Sequence, residues 1–440
     1  MASTAVLQPG IAGQLADLAC GVAGGELPVR IRAWDGSEAG PAGRPVLVVR
    51  DRTALRRVLW HPGELGLAQA YIAGEIDVEG DLAEALSRVG SLVRQAREAG
   101  IRPGGRQLLR ALALAARLGG FGLRPPAPLG TARLTGTVHS RQRDRAAVSY
   151  HYDLSNEFYQ LLLDPSMAYS CAYWTSDKPG YTVADAQQDK LELICARLGL
   201  KPGMRLLDVG CGWGSLSLYA ARQHGTQVTA VTLSEQQHQY VTGRVAALGL
   251  GDLVDVRLQD YRDVNSGPYD AAAAVEMGEH VGREHYGDFA GRLLRLLLPG
   301  GRLLIQQMSR SHRAPGGGAF IAAYIASDMH MRPVGETISA LEQAGLEVRE
   351  VHAMREHYVP TILAWLATLE QRWTDVTDLV GEPTGRVWRL YLAGAALAFA
   401  ERRMGVDQIL AVRPTPPGFD ARGSWAHHTD NVAGSAVRCW

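Results

Sequence analysis

The sequence predicts an α/β fold with a Rossmann-like, doubly wound parallel sheet, and two observations support this. Helix-like and strand-like segments alternate between residues 185 and 310, the pattern of a parallel sheet with helices on both faces. Within this region, the apolar segment 204–209 runs into a turn with glycines at positions 210, 212 and 214, and an amphipathic segment follows. Such a turn lets a ligand approach the backbone closely, so we expect a binding site at the carboxyl ends of the strands.

The predicted elements follow one another with short connections. In the alternating region, helices are expected at 186–198 and 235–248, and strands at 204–209, 227–232, 254–258, 269–275 and 303–307. A long insertion rich in glycine and methionine occupies 309–335, and two further helices are predicted at 361–373 and 387–403. Nearer the N-terminus, short strands are expected at 28–31 and 45–49, and short helices at 54–60 and 66–72.

The chain is predicted to have four parts, because its 440 residues exceed the usual size of one domain. Residues 1–90 are expected to form a smaller α+β domain and residues 91–149 an arginine-rich helical linker. The α/β domain with helical insertions spans 150–412, and the proline-containing segment 413–440 is predicted to be a flexible tail.

Composition and charge exclude several classes of protein. The 45 basic and 45 acidic residues balance, which argues against nucleic acid as a partner. The five cysteines include no C-x-x-C pair and no metal-ligand spacing, so we expect no metal site and a reducing, cytoplasmic environment. No uncharged apolar run reaches the length of a membrane span, and we expect a cytoplasmic protein that is soluble or peripheral.

One segment has a strong local excess of positive charge. Residues 91–150 hold eleven arginines against only Glu98 and Asp144, and the apolar stretch 108–123 lies among them. A cationic helix with an apolar face can lie on an anionic lipid surface. An ordinary interdomain helix with a solvated arginine face is the alternative, and the sequence leaves both open.

Polar residues follow the predicted strands at the edge where the binding site is expected. The candidate cofactor ligands are Asp208, Gly210, Cys211 and Gly212 after the first strand, Thr232, Ser234 and Gln237 after the second, and Tyr261 and Arg262 after the third. The G-x-G-x-G spacing of the turn differs from the G-x-G-x-x-G fingerprint of dinucleotide sites. An acidic residue directly at the strand end is typical of Rossmann-like methyltransferases, so S-adenosylmethionine is favoured over a turn that binds nothing.

Several segments resemble the cyclopropane-fatty-acyl-phospholipid synthase family. The most specific are residues 150–159 (YHYDLSNEFY) and 167–174 (MAYSCAYW), and residues 207–214, 259–263, 279–282 and 357–365 are similar in kind. Residues 66–77 are similar to part of the family's lipid-facing N-terminal domain, so the resemblance covers most of residues 20–412. It implies a class I methyltransferase domain that binds S-adenosylmethionine, with Tyr169 and Ser170 among the cofactor-binding residues.

The resemblance also implies a base for the reaction. In the family, loss of a proton after methyl transfer is thought to be assisted by a bound bicarbonate. Its ligands map onto Cys171, Glu279, Tyr358 and the backbone around Met308, while a family histidine aligns with Gln306. A glutamine can orient an anion by donating a hydrogen bond, but it cannot relay a proton. For Cys171 the alternative is that a buried thiol merely packs against its aromatic neighbours.

Glu276 is a second departure, this time from the best-known bacterial members of the family, which carry glycine at this position. Some relatives, including plant cyclopropane synthases and actinobacterial enzymes that add a methyl or methylene branch, look similar in having a glutamate there. A negative charge near the anion site weakens anion binding unless Glu276 points at the sulfonium or is protonated. We therefore expect that Glu276 or His280, which both follow the fourth strand, could serve as a second base.

The predicted function is methyl transfer from S-adenosylmethionine to the double bond of an unsaturated phospholipid acyl chain, which closes a cyclopropane ring after deprotonation. Formation of a methyl- or methylene-branched chain, or C-methylation of a specialised-metabolite alkene, remains an alternative, as does a lipid-binding protein with a degenerate site. The resemblance further implies peripheral contact with the inner face of the membrane, and a homodimer is possible.

Overall fold

The computed structural model describes residues 10–23, 25–98, 100, 104–129, 137, 139–141, 143–144, 155–314, 318–326 and 328–416. Residues 150–154 of the motif at 150–159 lie outside the described residues, as do parts of the arginine-rich segment. The predicted flexible tail at 413–440 also lies outside them beyond residue 416. Among the helices of the described residues, none combines the length and the apolar character that crossing a membrane requires.

The N-terminal part folds around a small four-stranded sheet with the strand order β2-β1-β3-β4. Its elements are α1 (Ile11–Ala23), β1 (Arg30–Arg32), β2 (Glu38–Ala39), β3 (Val46–Val49), α2 (Thr53–Trp60), α3 (Glu64–Ile72) and β4 (Ile76–Glu79). The two predicted strands and two predicted helices are present. Helix α1 and strands β2 and β4 were not predicted. Strands β2 and β4 have only two and four residues, which is too few to show a hydrophobic periodicity.

Two helices follow, α4 (Leu82–Glu98) and α5 (Gly105–Arg117). The predicted domain boundary between residues 90 and 91 falls inside α4, whose first turns bury Leu82 and Ala85. Near the end of α4, Arg94 forms an ion pair with Glu401 at 2.8 Å. Helix α4 is therefore attached to the C-terminal part of the chain at both ends.

The larger part of the chain forms a seven-stranded sheet with the strand order β10-β11-β9-β8-β5-β6-β7, which confirms the predicted Rossmann-like α/β class. Its elements are α6 (Asn156–Leu162), α7 (Val183–Leu198), β5 (Arg205–Val209), α8 (Ser215–His224), β6 (Gln227–Thr232), α9 (Glu235–Ala247), β7 (Val254–Leu258), β8 (Tyr269–Val275), α10 (Tyr286–Leu296), β9 (Leu297–Ser309), α11 (Gly318–Tyr324), α12 (Val334–Gln343), β10 (Glu347–Ala353), α13 (Arg355–Gln371), α14 (Trp373–Val380), α15 (Glu382–Ala400) and β11 (Gly405–Val412).

Five strands of this sheet run parallel, and they are the five that the sequence predicted. Central strands of a parallel sheet are covered on both faces and therefore appear as continuous apolar runs, such as the fully buried Ala271–Ala274 stretch of β8. Strands β10 and β11 add to the sheet in antiparallel orientation and were not predicted. Strand β10 is rich in charged residues and mostly exposed, with an irregularity between Val348 and Glu350, so its strand character depends on pairing with β11.

The last three helices connect the two parts of the molecule. Helix α13 begins six residues before its predicted start and contains Pro360, while α14 was not predicted. Helix α15 packs against α3, α4, α13 and α14. Its Arg386 side chain is buried and donates to the backbone oxygen of Tyr71 at 3.2 Å and to Asp77 at 3.1 Å. This guanidinium therefore holds α15 on the N-terminal sheet.

We expect Arg386→Met to lower the free energy of unfolding by about 2 kcal/mol, because the substitution leaves a buried carbonyl and one hydrogen-bond site of Asp77 unpartnered. The control is Arg372→Met, whose exposed ion pair with Asp375 is expected to contribute under about 0.5 kcal/mol. Urea unfolding followed by circular dichroism measures both values. Equal destabilisation by the two variants would show that Arg386 does not anchor α15.

Candidate active site

A polar cavity of about 180 Å³ opens at the carboxyl ends of the parallel strands. Most of the predicted cofactor-binding and catalytic residues line it, namely Tyr169, Ser170, Asp208, Gly210, Cys211, Gly212, Thr232, Gln237, Tyr261, Arg262, Glu276 and His280. This convergence follows from topology, since the carboxyl ends of neighbouring parallel strands meet at one edge of the sheet. Within the described residues, no group of His, Cys, Asp or Glu side chains has the arrangement that a metal ion needs.

The glycine turn after β5 provides space at the floor of this cavity. Gly210 and Gly212 have φ angles of 78° and 54°, in the left-handed region that favours glycine. The N–H group of Gly210 donates to the backbone oxygen of Val231 at 3.0 Å, so it belongs to the sheet. A Cβ atom at Gly212 would meet open space, whereas one at Gly210 would lie 2.9 Å from Cγ of Met277.

Two buried charged groups lie beside this turn. Asp208 accepts a hydrogen bond from Ser217 Oγ at 2.6 Å, and burial raises the pKa of its carboxyl to about 6. The side chain of Lys190 is 1% exposed and donates to Ser170 Oγ at 2.9 Å. Burial lowers the pKa of Lys190, while the nearby carboxyl groups of Glu276 and Asp164 act in the opposite direction.

Sequence reasoning missed Lys190, although a signal was present. The chain has only three lysines among its 45 basic residues, and this one lies on the buried face of a helix. A lysine is almost never fully buried without a partner for its charge. A lysine on the apolar face of a predicted helix therefore indicated that a partner for its charge lies nearby.

The walls of the polar cavity hold their polar groups in defined positions. Thr232 donates to Gln237 Oε1 at 2.8 Å, in place of the carboxylate common at second-strand ends. Ser234 does not line the cavity: its hydroxyl accepts from the N–H of Gln237 and caps α9. A cofactor contact by Ser234 stays a prediction.

The third strand end supplies Tyr261 and Arg262. Arg262 bonds to Asp260 at 2.6 Å and to Asp144 at 2.9 Å, and the bond to Asp260 raises the pKa of its guanidinium. Asp144, which belongs to the predicted linker, also lines the cavity and was not among the predicted site residues. Burial lowers the pKa of His280 to about 4, so this imidazole is neutral at neutral pH and accepts protons weakly.

A second cavity of about 410 Å³ lies between the N-terminal part and the C-terminal helices, and its walls are almost entirely apolar. Residues from α3 and α4 form one side, and residues from α13 and α15 form the other. Six aromatic residues line it, namely Tyr71, Phe320, Tyr358, Trp365, Tyr391 and Phe399. Only the folded chain brings these segments together, so the sequence did not reveal the cavity.

The Glu276 carboxylate lies at the wall between the two cavities. Glu276 lines the polar cavity, and Tyr358, which lines the apolar cavity, donates to its Oε2 at 2.6 Å. Its Oε1 accepts from the backbone N–H of Cys171 at 2.8 Å and from Gln306 Nε2 at 2.9 Å. Burial raises the pKa of Glu276, and these three donors and Lys190 partly offset the increase.

Glu276 reaches this position with an unusual backbone conformation. Its φ angle is 52°, in the left-handed region, which costs a residue other than glycine on the order of 1 kcal/mol. Strand pairing holds it there, because its N–H donates to the backbone oxygen of Gln306. The best-known bacterial members of the family carry glycine at this position, and glycine is the residue that adopts a left-handed backbone most easily.

The Cys171 thiol does not face the carboxylate. Its Sγ donates weakly to the backbone oxygens of Ala172 and Met354, and burial raises the pKa of the thiol well above its usual value. Cys171 thus contacts Glu276 only through its backbone N–H, and the thiol itself is packed in the protein interior. The side chain is packed, as the second alternative expected, while a role for Cys171 as the ligand of a bound anion stays a prediction.

Glu279 is a separate buried carboxyl group. Its Oε1 accepts from the N–H of Met308 at 2.5 Å, and its Oε2 has no hydrogen-bond partner among the residues that the structure describes. Burial and the neighbouring Glu276 raise the pKa of Glu279 to about 8, so this carboxyl is mostly protonated at neutral pH. Glu279 lines neither cavity.

These contacts decide whether a bicarbonate ion fits. The three donors that the resemblance assigned to it on Cys171, Gln306 and Tyr358 all bind the Glu276 carboxylate. The fourth, the N–H of Met308, binds Glu279. A bicarbonate ion therefore does not fit this arrangement of residues.

Comparisons with known proteins extend the predicted resemblance. A family model for mycolic acid cyclopropane synthetase matches residues 139–409. A probable fatty acid methyltransferase of Pseudomonas putida is 35% identical over 400 residues, covering 89% of this chain and 93% of the relative. The cyclopropane-fatty-acyl-phospholipid synthase of Escherichia coli is 33% identical over 293 residues, covering 66% of this chain and 74% of the relative.

The fold is also found in solved structures. Mycolic acid cyclopropane synthase CmaA1, in a crystal structure with SAH and CTAB, matches with a TM-score of 0.58 and 30% identity. The match covers 61% of this chain and 98% of that protein. It confirms the class I methyltransferase fold that the sequence predicted.

We expect Gly210→Val to weaken S-adenosylmethionine binding by about tenfold or more, because valine is strained at a positive φ and its Cβ displaces Met277 from the cavity wall. Gly243→Val is the control, since Gly243 lies on the exposed face of α9 with open space around it. Isothermal titration calorimetry measures both affinities. Unchanged affinity in Gly210→Val, with the fold retained by circular dichroism, would refute this assignment of the cavity.

Proposed function

The chain belongs to the mycolic acid cyclopropane synthetase family and is an S-adenosylmethionine-dependent methyltransferase that acts on lipid acyl chains, and we propose that it methylates the double bond of an unsaturated acyl chain of a membrane phospholipid. Loss of a proton from the added methyl group then closes a cyclopropane ring. The observation that carries this proposal is the meeting of a polar and an apolar cavity at the Glu276–Tyr358 hydrogen bond.

The polar cavity has the residues to hold S-adenosylmethionine. When bound, this cofactor supplies an electrophilic methyl group. Tyr261 offers an aromatic face for an adenine, and Thr232 and Gln237 offer polar groups for a ribose. Gly212 leaves open space beside the backbone, and the carboxyl group of Glu276 lies further along the same wall.

The apolar cavity has the properties that the acyl chain and its methylated cation require. Its lining is largely apolar, which disfavours water that would otherwise trap a carbocation as an alcohol. The rings of Tyr358 and Phe399 lie 4.5 Å apart between centroids, with Trp365 at 6.3 Å from Tyr358. Aromatic faces of this kind stabilise positive charge in a site without water.

Exposed apolar side chains support access from a membrane. Leu67 and Val89 line the apolar cavity and are also exposed, so they mark its opening. Leu109, on α5, and Phe121 and Leu123 after it are exposed as well. Apolar residues among arginines can insert into the surface of an anionic bilayer, and we propose that this segment contacts the inner face of the membrane.

A methyl-branched product is the second candidate. The Pseudomonas putida relative is called a probable fatty acid methyltransferase, and it matches this chain over most of its length. Removal of a proton from a chain carbon beside the cation gives a branched alkene, whereas removal from the added methyl group gives a ring. Both outcomes use the same two cavities and one base.

The test is expression in a bacterial host that makes unsaturated phospholipids, followed by lipid mass spectrometry. We expect acyl chains heavier by one CH₂ group, and resistance of the product to hydrogenation identifies a ring. Gly394→Leu should lower the product yield, because Gly394 lines the apolar cavity with open space in front of it. Leucine is also the better helix former, so the fold of α15 should not be weakened.

The control for this variant is Gly243→Leu, which makes the same exchange on an exposed helix face. It should raise helix propensity equally and leave the yield unchanged. If wild-type cells accumulate no heavier acyl chains, the proposed function is wrong. If Gly394→Leu gives the full yield, the apolar cavity does not hold the chain.

For membrane contact, we expect co-sedimentation with anionic phospholipid vesicles that decreases as salt rises, since salt screens the arginines. The double variant Phe121→Ser, Leu123→Ser should bind more weakly at every salt concentration, because it removes two exposed apolar side chains. Leu248→Ser, an exposed leucine at the end of α9, serves as the control. Co-sedimentation that does not change with salt concentration, or that is absent at low salt, would count against the membrane contact.

A further inference from the structure

We propose that the Glu276 side chain takes the place of a bound anion and is itself the base that removes the proton after methyl transfer, so that this enzyme needs no bicarbonate. This inference rests on the proposed function and identifies the group that completes its reaction. Of the three acidic or basic side chains that follow β8, namely Glu276, Glu279 and His280, the base is Glu276.

The hydrogen-bond donors around Glu276 are arranged as in an anion-binding site, and the anion that they bind is the Glu276 carboxylate itself. A carboxylate presents two oxygens on one carbon, as bicarbonate does, and three donors converge on them. The donors come from a loop, from β9 and from α13. Because they lie on three separate elements, no single turn or helix end accounts for their convergence. Their common target is the Glu276 carboxylate.

A chain of amides fixes the orientation of one donor. Arg197 donates to Gln408 Oε1, Gln408 Nε2 donates to Gln306 Oε1 at 2.8 Å, and Gln306 Nε2 donates to Glu276. An arginine can only donate and a carboxylate can only accept, so both glutamine amides have a single orientation that satisfies the chain. Gln306 and Gln408 face each other across β9 and β11, which keeps them in register.

The two departures from the family therefore fit each other. Glu276 brings a carboxylate into the site, and Gln306 presents an N–H donor that is fixed towards it. Gln306 needs no ability to relay protons in this arrangement, because it only holds the base. A left-handed backbone at Glu276 is retained although glycine would adopt it more easily, which indicates that the side chain is needed there.

Position distinguishes Glu276 from the other candidates. Glu276 lines the cofactor cavity and is bonded to Tyr358 of the apolar cavity, so its oxygens lie where both substrates meet. Glu279 lines neither cavity and is mostly protonated at neutral pH. His280 lines only the cofactor cavity and is a weak base.

The proton transfer is balanced without a further reactant. After methylation, the acyl chain carries a cation at the neighbouring carbon. An oxygen of Glu276 takes a proton from the added methyl group, and the electron pair of that C–H bond forms the bond that closes the ring. If the proton comes from a chain carbon instead, the pair forms a double bond. In both cases Glu276 ends as a carboxylic acid and releases its proton to water between turnovers.

The first test measures turnover of unsaturated phospholipid vesicles in buffer freed of carbon dioxide and bicarbonate. We expect the wild-type rate to be unchanged by bicarbonate removal. Glu276→Gln, which keeps the shape but cannot accept a proton, should lose about a hundredfold or more. Glu342→Gln, on the exposed face of α12, makes the same exchange as a control and should keep the wild-type rate.

Glu276→Gly provides a test by rescue. It relieves the left-handed strain and leaves the donors of Cys171, Gln306 and Tyr358 facing the space of the missing carboxylate. We expect a very low rate without added anion and an increase of about tenfold or more with bicarbonate or formate. Thermal unfolding and calorimetric titration with S-adenosylmethionine verify that this variant is folded and binds its cofactor.

Bicarbonate binding gives a readout that does not depend on lipid turnover. In ¹³C NMR, labelled bicarbonate should broaden with Glu276→Gly and stay sharp with the wild type. Broadening by the wild type, a wild-type rate that falls without bicarbonate, or a near wild-type rate in Glu276→Gln would each overturn the inference. Absence of lipid product from the wild type at every bicarbonate concentration would instead refute the proposed function, while the NMR comparison still decides the anion site.

Discussion

The arrangement of this enzyme depends on one half-buried carboxylate, that of Glu276. It accepts hydrogen bonds from residues that lie between 30 and 105 positions away along the chain. These bonds join the end of β8 to β9, to the loop at Cys171 and to helix α13. Because a buried carboxylate without donors is strongly destabilising, the loop, the strand and the helix must all be in place for the site to form.

Charge balance around Glu276 sets the protonation of its neighbours. Lys190 lies buried on the cofactor side and favours the ionised form of Glu276. Glu279 lies near enough that its ionisation is opposed by Glu276, and its carboxyl stays mostly neutral. Two adjacent carboxyls with different protonation states are a common way for a protein to provide one base and one structural acid.

The substrate side of the site is built from distant segments. Helices α3 and α4 of the N-terminal part and helices α13 and α15 near the C-terminus enclose the apolar cavity. The buried guanidinium of Arg386 fixes α15 on the N-terminal sheet, so the contacts that stabilise the interface also hold the two sides of the cavity together. Substrate binding and interface stability are therefore linked in this fold.

Local sequence patterns were enough to predict the α/β class, the five parallel strands and twelve of the residues that line the polar cavity. Buried parallel strands are continuous apolar runs, and their ends meet at one edge of the sheet. The folded chain was needed to show that Cys171 contributes its backbone and not its thiol, and that Ser234 caps a helix. It also decided that Glu276 occupies the expected anion site, that Lys190 is buried beside it, and that β10 and β11 complete the sheet. These features depend on contacts between residues far apart in the chain, and neither local propensity nor spacing encodes which partners such residues meet.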